Sequence, residues 1–175
     1  MPNRENHATA PRRAILAAPL ALGLGAAAHH AQAQDDEGDA MDLTIEHLNP
    51  EGMHQNPAFS QAVVVAGPAR TIYVGGQNAV NAAGEIVGKG DLAAQTEQVF
   101  QNLETVLAAA GATLHDIILW RLFVVEGQDL RPGLEVTMRH WGTEHAPPAI
   151  TSAMVPSLAN PDFLLELEAI AVVPG

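Results

Sequence analysis

Two carboxylates stand two positions apart in the stretch "FLLELEAIAVV": Glu166 and Glu168. In a strand, residues at that spacing share a face and lie roughly 7 Å apart. Their neighbours are apolar, and partial desolvation raises a carboxyl pKa and suits the group to hold or activate water. The plainer alternative is an edge strand with a solvated acidic face, and the spacing does not choose between the two. A second stretch, "HAPPAITSAMV" (145–155), delivers the chain through a double proline into an apolar run whose first member is Ile150. Segments of this kind form corners of small-molecule pockets, yet this corner carries no charge.

Other constellations carry less chemistry. "GEIVGKG" invites comparison with a phosphate-binding loop, but its spacing is one residue short and Gly90 stands where a Ser or Thr would hold magnesium. It reads as a glycine turn. Beyond residue 33 the chain has His47, His54, His115, His140 and His145, with no pair at ligand spacing on one helix face, so no metal site is expected. Ser60, Ser152 and Ser157 lack a G-x-S-x-G elbow, which leaves serine nucleophile chemistry without support.

These residues need elements to position them. "MDLTIEHL" (41–48) alternates weakly, as an opening strand would. "FSQAVVVAG" and "TIYVGGQ" flank a short Gly-Pro break and read as a β-hairpin. From Asp91 the period changes: Leu92, Thr96, Val99, Leu103, Val106 and Leu107 fall at helical steps, with Asp91 as N-cap and Gly111 past the end. "DIILWRLFVV" (116–125) is a buried strand. Pro132 suits a first helical turn, and "LEVTMRHWG" continues a second helix to Gly142. Strands around "AITSAMV" and "FLLELEAIAVV" close the chain. The order implies an α+β domain, one sheet with two helices packed on one face.

The 175 residues suffice for one domain with a real core, and cysteine is absent, so no disulfide staples it. Residues 1–33 read as a signal peptide: Arg4, Arg12 and Arg13, then "AILAAPLALGLGAAA", then small residues at Ala31 and Ala33. Arg12-Arg13 loosely fits a twin-arginine signal, although Pro11 sits where Ser or Thr is usual. The apolar run is short for a bilayer span, which needs about 20 residues. Residues 34–42, with "QDDEGDA", read as a solvated acidic linker, and 43–175 as the folded domain. The net charge is −12; the first 33 residues hold three of the eight basic and one of the twenty acidic residues, so the remainder carries −14. Such a surface repels phosphate backbones, and neither nucleic acid nor, once the signal is removed, membrane is an expected partner. The expected location is the periplasm or the exterior.

Taken in series, "NPAFSQAVVVAG", "TIYVGGQ", "QTEQVFQNLETVLAAAGATLHDI", "APPAITSAMV" and "LLELEAIAVV" resemble the Rid family, the reactive intermediate deaminases also called the YjgF group. The resemblance covers roughly residues 56–174. It implies a chorismate-mutase-like α+β fold, a homotrimer with three clefts between subunits and, in the best-known branch, hydrolysis of imines and enamines such as 2-aminoacrylate to a keto acid and ammonia without metal or organic cofactor. Position by position, the family's cleft glutamate falls on Glu166, its "GGQ" on Gly75, Gly76 and Gln77, and its Tyr-Ser-Gln serine on Ser60. The tyrosine of that motif is Phe59 here, the second-helix asparagine falls on Leu134, and the arginine after "PPA" is Ile150.

In the deaminating branch that arginine grips the substrate carboxylate, a contact worth about 1.5–3 kcal/mol. Isoleucine cannot replace it, although Arg121 or Arg139 are possible substitutes. Two expectations follow. One is an exported hydrolase of imines or enamines that lack the α-carboxylate, with Glu166 as catalytic residue and Phe59, Ser60, Gly76, Gln77, Leu134 and Ile150 lining the ligand. The other is a non-catalytic trimer that binds a small molecule or a protein in its greasier clefts. Ribonuclease activity, described for some relatives, fits poorly with export and the acidic charge.

Overall fold

The computed structural model describes residues 42–175. The expected signal peptide (1–33) and acidic linker (34–42) fall outside these residues, apart from Asp42.

Helical spacing between residues 92 and 107 produces α1 (Leu92–Ala109), capped by Asp91, whose carboxylate accepts from the Ala94 N–H at 3.0 Å. Gly111 follows with a positive φ of 72°, which a side chain would resist. Leu92, Thr96, Val99, Leu103 and Leu107 are buried as the spacing predicts. Val106 is not: it is 38% exposed. In the last turns the buried stripe centres on Leu103 and Leu107, and Val106, rotated about 100° from Leu107, is left at its rim. Phe100 and Gln95 are buried beside the expected residues. The Gln95 amide is fully bonded, donating to the carbonyls of Gly88 (3.2 Å) and Asp162 (2.7 Å) and accepting from the Leu164 N–H (2.8 Å). It ties the glycine turn and the entry to the last strand onto α1. That turn holds Gly84, Gly88 and Gly90 at positive φ, and Lys89 pairs with Asp162 at 2.8 Å.

The strands are β1 (Thr44–Leu48), β2 (Ala62–Ala66), β3 (Ala69–Gln77), β4 (Ile117–Val125), β5 (Ala149–Val155) and β6 (Leu165–Pro174). The second helix, α2 (Arg131–Trp141), starts with Pro132 in its first turn and ends at Gly142, φ 78°. Four strands form a mixed sheet in the order β3-β6-β4-β5, antiparallel except for β4 with β5. The hairpin differs from expectation. β2 pairs with β1, Thr44 opposite Ala66, while β3 pairs with β6. The β1–β2 ribbon joins the sheet through one bridge, Ser60 to Ala149 at the start of β5.

Both helices cover one face of the sheet. Val99, Phe100, Leu103 and Leu107 of α1 pack with Trp120 and Val124 of β4 and with Leu165, Leu167, Ala169 and Ala171 of β6. The alternation of β6 sends Glu166, Glu168 and Ile170 to the opposite side, where register sets Phe123 against Glu166 and Arg121 against Glu168. On that open face Tyr73 is 78% exposed.

An electrostatic clamp holds α2 on α1. His140, stacked on Phe100, bonds Glu97 through Nε2 and Glu104 through Nδ1, each at 3.1 Å, and Arg139 reaches Glu97 at 3.2 Å. The bond from His140, more than any other contact, holds the Glu97 carboxyl below the usual carboxylate range. A depressed carboxyl contributes stability that is present above its unfolded pKa and is lost as pH falls through the folded value. The melting-temperature gap between wild type and Glu97→Gln is therefore expected to narrow once pH drops below about 4.3, the ordinary glutamate value. Melts at several acidic pH values read this directly, and a gap independent of pH would contradict it.

Candidate functional site

The sequence-predicted site residues occupy three places. The first is built on the β3–β6 pair. Pairing there slips between Val74 and Gln77, so the backbone at Gly75 and Gly76 bulges away from the ladder. The Glu166 side chain lies in the space this creates. A Cβ built on Gly76 would stand 2.0 Å from Glu166 Oε1 and 2.7 Å from its Cδ, so only glycine leaves room for the carboxylate. Nothing comparable constrains Gly75, where an added Cβ meets no atom within 4 Å. Gln77 folds back on the bulge, its Nε2 donating to the Gly75 carbonyl at 3.1 Å. Asn78, which the motif reading passed over, donates from Nδ2 to Glu166 Oε2 at 3.3 Å and to the Leu165 carbonyl at 3.2 Å.

The second place is the double-proline corner. Ser60, only 2% exposed, donates its hydroxyl to the Pro147 carbonyl, and its N–H donates to the Pro148 carbonyl at 3.0 Å. His47 Nδ1 lies 3.0 Å from both Ser60 Oγ and the Pro147 carbonyl. The carbonyl only accepts, so Nδ1 carries its proton and the Ser60 hydroxyl points elsewhere than the ring. This is a clasp and not a nucleophile–base pair, in which the ring would accept the hydroxyl proton. Phe59 beside it is half-buried. Ile150 follows on β5, opposite Trp120, and packs against the helix-side core.

Leu134 is in the third place, on α2, 57% exposed and in one row with the exposed Leu130 and Met138. Within one chain these places stay apart. Strand order puts β6 and β5 on either side of β4, and alternation sends Glu166 and Ile150 to opposite faces of the sheet. The substitute cations are also accounted for. Arg139 is spent on Glu97 in the helix layer. Arg121 is on the open face, bonded to Glu168 at 3.2 Å. The face around Glu166 thus offers two carboxylates and one guanidinium that is already paired.

Comparison with known proteins adds to this geometry. A family model described as endoribonuclease L-PSP matches residues 53–173. A RutC family protein of Pyrococcus abyssi is 35% identical over 114 residues, covering 65% of this chain and 84% of the relative. The 3-aminoacrylate deaminase RutC of Acinetobacter baylyi is 28% identical over 128 residues, 73% of this chain and 98% of that protein. Among solved structures, the Rid-family protein YyfB of Yersinia pestis matches with a TM-score of 0.62 at 36% identity, covering 74% of this chain and 98% of its own.

Proposed function

Because the chain belongs to the endoribonuclease L-PSP family, whose solved relatives include Rid proteins, we propose that it hydrolyses an imine or enamine lacking the usual α-carboxylate. The observation that carries this reading is the seat of Glu166, a carboxylate set on the open sheet face in a recess that only a glycine permits. The relative named for 3-aminoacrylate deamination supports the reaction class.

In this reading Glu166 takes a proton from water as the oxygen adds to the C=N carbon. Addition to the protonated imine gives a neutral carbinolamine, and Glu166 returns its proton to nitrogen. The C–N bond then breaks with its electron pair on nitrogen, and the hydroxyl proton passes to Glu166 as ammonia leaves a carbonyl product behind. An enamine enters the same route after protonation at carbon. The substrate follows from the charges present. At the "PPA" corner Ile150 offers no cation, and Arg121 is held by Glu168, so a neutral or cationic, partly apolar ligand fits better than a carboxylate. Glu166 and Ile150 face opposite ways in one chain, so a cleft that uses both draws them from two subunits of a homotrimer. Residues 1–33 act as an export signal and the domain works in the periplasm or outside the cell.

The test is ammonia release by the purified protein from two substrates made in situ, an alkyl imine unsubstituted at nitrogen and 2-aminoacrylate. Wild type is expected to accelerate hydrolysis of the first. Ile150→Arg is expected to gain activity on the second by about ten- to a hundredfold, the worth of one charge-assisted contact. If wild type prefers 2-aminoacrylate, the substrate assignment is wrong. Silence on both substrates, with saturable binding of neutral ligands, would favour a binding trimer, for which Phe59, Leu134 and Ile150 supply apolar surface.

A further inference from the structure

We propose that Asn78 is the positioning residue for the Glu166 carboxylate, and that α1 sets its place through Asn102 and Gln98. The inference rests on the reading of Glu166 as the catalytic base. Both groups facing the Asn78 amide, the Leu165 carbonyl and the Glu166 carboxylate, are acceptors, so its nitrogen must point at them and both its protons are used. One proton anchors Asn78 to the β6 backbone one residue before Glu166. The other holds Oε2, while Oε1 lies against Gly76. The carboxylate is therefore held by a hydrogen bond at one oxygen and seated against the glycine at the other.

Asn78 is itself held from behind. Asn102 Nδ2 donates to the carbonyls of Asn78 and Val80, both at 3.0 Å, and Gln98 Nε2 donates to Asn102 Oδ1 at 2.9 Å. Between them Ala79 is fully buried and pins the segment. A rigid helix on one face of the sheet thereby sets a side chain on the other face, through a loop that rounds the sheet end. Preorganised groups of this kind need no rearrangement when the reaction begins.

Kinetics and crystallography on the full chain test the proposal together. Asn78→Ala is expected to lower kcat for the best imine substrate about tenfold with KM within about twofold, because an unrestrained base is less often aligned. In a Glu166→Gln background the same substitution is expected to cost nothing further. Asn78→Asp sets a second carboxylate beside Glu166, so the acid limb of its pH–rate profile is expected to move to higher pH; a purely structural role would not move it. Wild-type kcat and an unmoved pH profile in both variants would overturn the proposal. Crystal structures judge it without activity: one Glu166 rotamer against Gly76 is expected in wild type, and several in Asn78→Ala. A single unchanged rotamer in the variant overturns the positioning role. An inactive wild type whose Glu166 rotamers disperse in Asn78→Ala would sink the hydrolase reading alone.

Discussion

Glu166→Gln is expected to lower ammonia release by about 10²–10⁴-fold, the range a positioned acid or base contributes. The amide is nearly isosteric and keeps an oxygen for Asn78, so the melting temperature should stay close to that of wild type. Gly76→Ala should reach a comparable loss by another route. Its new Cβ would lie 2.0 Å from Glu166 Oε1, and the atom in the way is the tip of a flexible side chain. The cheapest relief is for the carboxylate to swing out of its seat while the backbone stays. Activity then falls with stability largely kept, a pattern that kcat and thermal melts on the same sample distinguish from general damage. Full activity in Glu166→Gln would remove Glu166 from the mechanism, and full activity in Gly76→Ala would show that its seat against the glycine is not needed.

Phe100→Ala carries the largest expected loss of stability, about 3–5 kcal/mol. The ring is fully buried, meets Trp120 edge-on with centroids 5.9 Å apart, and stacks on His140 at 4.8 Å. Truncation thus opens a cavity between α1 and the sheet and removes the surface on which His140 lies. Against a whole-domain stability of about 5–15 kcal/mol, a loss of that size is a large fraction. Urea unfolding reads it as a lower midpoint at unchanged slope. A change below about 1 kcal/mol would mean that the site collapses around the missing ring far better than such cores do.

Much of the fold could be read from local pattern, because local pattern is what makes it. Residues 92–107 announce a helix through the steps between Leu92, Val99 and Leu103, and Asp91 and Gly111 mark its ends. The alternation of "LLELEAIAVV" separates the core-facing Leu165, Leu167 and Ala169 from Glu166 and Glu168. Pairing was less accessible. A β-branched run specifies a half-buried strand but not its neighbour, and the break at Gly67-Pro68 suggested β2 with β3. The structure pairs β2 with β1, and the Ser60 clasp that ties the start of β2 beside β5 joins residues 87 positions apart, beyond the reach of local pattern.

The site divides the same way. Glu166, Gly76 and Gln77 come together around the bulge, and the motif marked all three. Asn78 and Gln95 were missed because each is an amide in an unremarkable context, and its value depends on carbonyls distant in sequence. A weak signal for Asn78 existed in its place directly after the glycine bulge, where the chain must turn and polar groups are brought to the backbone. Ile150 and Glu166, joined by motif, lie on opposite sides of the sheet, since spacing along a chain says nothing about which strand will lie between two others.

The place of β6 has a consequence for how the molecule comes into being. It is the last strand of the chain order, yet it lies between β3 and β4. During synthesis, β3 has no partner in the four-stranded sheet until residues 165–174 arrive, and β4 has only β5. The step that closes the sheet also delivers Glu166 to Gly76. In the proposed hydrolase a half-made chain would therefore lack its base, because Glu166 reaches Gly76 only when β6 takes its place between β3 and β4.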